Sequence, residues 1–66
     1  MNEYPILAYF EYHHLPERLA AVSQPFCLLA QTIAETLPPC AETSVALRKL
    51  LESKDAAVRA ALDVKP

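Results

Sequence analysis

The sequence predicts an all-α protein: a short N-terminal arm and a short helix, followed by an antiparallel two-helix hairpin that oligomerises through its helices. Three observations predict it. Apolar residues recur at helical spacing in two segments, Pro38-Pro39 separates those segments, and hydrophobic residues make up 53% of a 66-residue chain. The first two define amphipathic helices and the break between them. The third exceeds what one small core can hide, because a chain of this size buries only about 60% of the surface its unfolded form exposes. Two helices joined by so short a turn run antiparallel. Each lays one apolar face on the other, and packing of several copies would cover the Ala- and Leu-bearing surface left over. A homo-oligomer follows as an expectation.

Residues 1–15 form the arm, which holds Tyr4, Tyr9, Phe10 and Tyr12, then His13 and His14. Pro5 and Pro16 bracket it, and each disfavours helix in the residue before it. Tyr, Phe and Ile suit extended structure, so the arm is expected to be extended or irregular. It must pack on something, since a lone strand is not stable.

The next element spans 16–37. Pro16 suits the first helical position and Glu17 the positive helix end. Pro25 lacks an N–H, so the helix is expected to kink there or to restart with Ser23 as its cap. Phe26, Leu29, Ala30, Ile33 and Leu37 then fall on one stripe. After the prolines, Cys40-Ala41-Glu42-Thr43 leads into a helix over 41–62 with an apolar stripe of Leu47, Leu50, Leu51, Val58, Ala61 and Leu62. On the other face Arg48, Glu52, Asp55 and Arg59 are spaced for opposite-charge pairs at i,i+4, which reads most simply as a solvated face.

Composition excludes several functions. No glycine is present, which removes the glycine-dependent phosphate loops. Six Lys and Arg against eight Asp and Glu argue against long nucleic acid as a ligand. The chain opens without a basic and apolar leader, and its longest apolar run falls far short of a membrane span. A soluble, intracellular protein is expected. Cys27 and Cys40 stand about 20 Å apart along helical chain, too far for a disulfide, which fits a reducing compartment.

The chemistry-bearing residues are few. His13, His14 and Glu17 hint at a metal, yet adjacent histidines diverge and no further ligand stands at the right spacing; no metal and no cofactor are expected. Cys27 lies in an apolar pattern and reads as packing. Cys40 occupies a helix-cap position with no acid–base partner near it. With no catalytic constellation, the chain reads as a non-enzyme. The aromatic arm reads as apolar cover for the hairpin, or as flat faces on which bases stack.

One combination of segments carries further: Phe10-Glu11-Tyr12-His13, then Pro16-Glu17-Arg18, then Pro38-Pro39-Cys40-Ala41-Glu42-Thr43-Ser44-Val45-Ala46-Leu47. Lys49-Leu50, Glu52 and Ala57-Val58-Arg59-Ala60 complete it. From Phe10 to about Leu62 this order resembles the small phage sponges that bind cyclic oligonucleotides and oppose CBASS immunity, a helical hairpin shared with anti-Thoeris sponges. The resemblance implies a homohexamer in the cytoplasm of an infected bacterium, sequestering cyclic di- and trinucleotides without cleaving them. By the same resemblance Tyr12 stacks on a base, Arg59 reaches trinucleotide phosphates, and His13 and Arg18 fall on ligand-site positions. Relatives often carry basic residues where Ser23, Gln24 and Pro25 stand, which makes the Arg59 site the better kept. A different class of function, a hairpin module whose charged face docks on a protein partner, needs no nucleotide.

Overall fold

The structure, a computed structural model, describes residues 4–63. It comprises a 3-10 helix at Pro5–Phe10, α1 at Glu17–Thr36 and α2 at Ala41–Leu62, with no strand among the described residues. The two long helices pack as a hairpin and the 3-10 helix lies against both. Their antiparallel sense is visible at one end, where Arg18 in the first turn of α1 donates from Nη1 to the carbonyl of Ala61 in the last turn of α2, 2.7 Å away. No helix among the described residues is long and apolar enough to cross a membrane.

The arm departs from the extended form expected of it; its first three residues lie outside the described ones. Pro5 opens a 3-10 helix, a position that needs no N–H. In that geometry residues three apart share a face, so Tyr4, Leu7 and Phe10 line up. All three pack inward: Phe10 is fully buried against Cys27, Ala30 and Leu47, and Tyr4 and Leu7 flank it. The intervening Ala8 and Tyr9 face solvent. Burial of one large ring against both long helices outweighs the weak extended preference of the segment.

The helix expected to kink or restart at Pro25 is a single α-helix of 20 residues with Pro25 inside it. Pro16 is its N-cap, and Ser23 is not a cap but a fully buried interior residue. Pro25 and Ala21 are both exposed, so the Ala21 carbonyl deprived of its i+4 donor faces water. Packing on the opposite side holds the helix through the proline, whose interior cost is about 3 kcal/mol.

That packed side is rotated from the stripe read off the sequence. The buried residues of α1 are Leu19, Ser23, Cys27 and Ala30. Phe26 and Ile33 pack at the margin, whereas Leu29 and Leu37 are about half exposed. In α2, Leu47 and Thr43 are buried, Leu50, Leu51, Val58 and Ala61 are half-buried, and Leu62 is exposed. The turn follows from its prolines: Leu37 is extended, as a residue before proline prefers. Thr43 ties α2 back to the turn by donating its hydroxyl to the Pro38 carbonyl at 2.7 Å.

The Ser23 hydroxyl is buried without a hydrogen-bond partner among the described residues. A buried hydroxyl so placed costs about 1–3 kcal/mol, and alanine is also the better helix former. Ser23→Ala is therefore expected to stabilise the protein by about 1–2 kcal/mol. Thermal unfolding followed by circular dichroism checks this; a lower melting temperature would show that the hydroxyl has found a partner.

Candidate functional site

The arm's return, residues 11–15, brings its polar side chains over the C-terminal half of α2. Together they line an open cleft of about 350 Å³. Ala8, Leu15 and Val58 supply its apolar surface; Tyr9, Glu11, His14, Lys54, Asp55 and Arg59 supply the rest. A larger groove of about 910 Å³ runs between the 3-10 helix and α1. Its charged side chains are the carboxylates of Glu11 and Glu35, so it is the wrong sign for an anion, and the smaller cleft is the better candidate.

The charged face of α2 is not uniformly solvated. The expected pairs Arg48–Glu52 and Asp55–Arg59 do not form among the described residues. Instead Lys49 pairs with Glu52 at 3.7 Å and Lys54 with Asp55 at 3.0 Å. The first spacing, three residues, is as favourable on a helix as four; the second joins adjacent residues through the long lysine side chain. The first pair is exposed on both sides and is worth little. The second is not: the Lys54 side chain is only 13% exposed. Most of its length is covered while the ammonium keeps the Asp55 carboxylate as partner, which a long amphipathic side chain allows. Arg59 thus keeps its guanidinium free of ion pairs among the described residues and open to solvent on the cleft. It also stands in the last turn of α2, where a cation is favoured by the helix dipole.

The four residues singled out from the sequence gather toward one end of the hairpin but serve different contacts. Tyr12 is half-buried against the core and stacks on His13, ring centroids 4.2 Å apart and planes 26° from parallel. His13 in turn lies 3.6 Å from Glu11 on the surface. Arg18 is engaged with the Ala61 carbonyl, where it closes the hairpin and satisfies one C-terminal carbonyl of α2. Of the four, Arg59 alone lines the cleft. The residues missed are Tyr9, His14 and Lys54. Lys54 had a legible signal: it falls in register with Leu47, Leu51, Val58 and Ala61, a lysine on the apolar stripe. Tyr9 had entered only among the arm's aromatics and His14 only beside His13 and Glu17, because the folding of the arm, 3-10 helix and following turn, is what brings them to α2.

The cysteines stay apart and free. Burial, with the Glu11 charge adding to it, pushes the Cys27 thiol up, and Gln31 Nε2 donates to its sulfur at 3.6 Å. Hydrogen bonding at the start of α2, from Thr43 first and Glu42 second, holds the exposed Cys40 thiol below its ordinary value. Its sulfur shares a hydrogen bond with the Thr43 hydroxyl at 3.4 Å. Among the described residues no three His, Cys, Asp or Glu side chains converge as a metal would require.

Compared with known protein families, curated proteins and solved structures, the chain finds no match. What the fold and cleft define by themselves is an α-hairpin with a latched aromatic arm and an arginine, free of ion pairs among the described residues, in an open cleft.

Proposed function

We propose that this protein is a phage-encoded sponge that binds cyclic oligonucleotide second messengers and sequesters them without cleavage. The observation that carries the reading is Arg59: a guanidinium free of ion pairs among the described residues, on an open cleft, at the position where the sequence pattern of the sponges has a phosphate-binding arginine. Arginine suits phosphate through its planar fork of donors. In a symmetric assembly one such arginine per protomer multiplies around the axis, which lets a chain of net charge −2 hold an anion with several phosphates.

Assembly belongs to the same proposal. Leu28, Leu29 and Val45 are between 41% and 52% exposed, and Leu62 is 59% exposed, more apolar side chain than a lone hairpin of this length needs in water. A homohexamer packed through these helix faces covers them. Native mass spectrometry with a mixed panel of cyclic di- and trinucleotides tests both parts together. The expected result is a hexamer that gains discrete nucleotide masses, released intact after long incubation. A bare monomer or dimer with no adduct would overturn the proposal and leave a hairpin whose exposed leucines dock on a protein partner.

A further inference from the structure

We propose that the cleft between the arm and α2 of each protomer takes one nucleotide unit, with Arg59 on its phosphate, Tyr9 against its base, and Asp55 and Glu11 accepting from its hydroxyl and amino groups. This rests on the nucleotide part of the reading above and adds which side chains discriminate.

The first argument is the placement of the aromatics. Tyr9 is 67% exposed on the cleft, next to a Phe10 that is fully buried. The 3-10 turn that drives Phe10 into the core leaves its neighbour outside, so a large flat face stands in water beside Arg59. Tyr12 is not so placed: one face of its ring carries His13, its body packs on the core, and it does not line the cleft. Base stacking needs an open ring face, and Tyr9 has one.

The second argument is charge balance. Lys54 and Arg59 face Glu11 and Asp55 in one small cleft. Such a cleft holds a bare polyanion only weakly, since the carboxylates offset the cations. It suits a ligand that adds several hydrogen-bond donors and a flat apolar ring to its anionic group. Lys54 is already bonded to Asp55 at 3.0 Å, which leaves Arg59 for the anion and the outer lone pairs of the carboxylates for donors. A nucleotide presents all three features; inorganic phosphates present only the first.

Isothermal titration calorimetry with ADP, pyrophosphate and the cyclic nucleotide panel tests the assignment. ADP is expected to bind more than tenfold tighter than pyrophosphate. Tyr9→Ala, at an exposed position, is expected to lower ADP affinity about tenfold or more with the melting temperature unchanged, and Tyr9→Phe to restore it. Pyrophosphate binding should be indifferent to Tyr9 and should fall with Arg59→Gln. If cyclic nucleotides bind and Tyr9→Ala leaves their affinity and that of ADP unchanged, the cleft assignment is wrong while the sponge stands. If ADP binds through Tyr9 and Arg59 while no cyclic nucleotide binds, the cleft stands and the sponge is wrong. Absence of binding by every probe at millimolar concentration overturns both.

Discussion

Phe10→Ala is expected to cost about 3–5 kcal/mol, the range for removing a fully buried aromatic ring. A domain of this length has on the order of 3–10 kcal/mol of stability in total, so the variant should be largely unfolded or melt at least about 12 °C lower at equal protein concentration. The size of the effect comes from where the ring sits. Phe10 is fully buried and touches residues of both long helices, Cys27 and Ala30 on one and Leu47 on the other. Removing it leaves a void at the junction of all three elements, and it also unlatches the arm that forms one wall of the cleft. A melt monitored by circular dichroism gives the answer. An unchanged melting temperature would mean that the hairpin stands without its arm, and that the arm is a cover rather than a member of the core.

Arg59→Ala is expected to do the converse: leave helicity and assembly mass intact and weaken nucleotide binding by about 1.5–3 kcal/mol, the value of a hydrogen bond to a charged group. That corresponds to roughly ten- to hundredfold in affinity. The separation is clean because Arg59 makes no side-chain hydrogen bond or ion pair among the described residues, unlike Arg18, whose guanidinium joins the start of α1 to the end of α2. Its stabilising effect on the fold is confined to the helix dipole, about 0.3–1 kcal/mol. Titration calorimetry beside native mass spectrometry separates the outcomes. Loss of assembly on Arg59→Ala would make the residue structural and remove it from the site; unchanged affinity would place the phosphate elsewhere.

The pairing of these two variants shows how sequence and structure divide. The ends of the long helices were legible because their causes are local. Pro38-Pro39 stops one helix, Pro16 starts it, and the 3.6-residue period of apolar positions runs through both segments. The site was legible only in part. Arg59 stood out only through the resemblance, since its charge pattern alone reads as a solvated face; Tyr9 and His14 carry no periodic mark, and Lys54 is marked only by standing in register with an apolar stripe.

Other features depend on contacts distant in the chain. Which side of α1 is buried follows from where Phe10 and Leu47 press on it, so Ser23 and Cys27 lie inside while Leu29 stays out. Pro25 sits within a continuous helix because the packed side outweighs one missing hydrogen bond on the wet side. The arm is a 3-10 helix rather than a strand because residues 4, 7 and 10 then share a face that a core awaits. Local chemistry set the boundaries of the helices. Burial, which is cooperative and non-local, chose their faces, and with them the cleft that Arg59 and Tyr9 share.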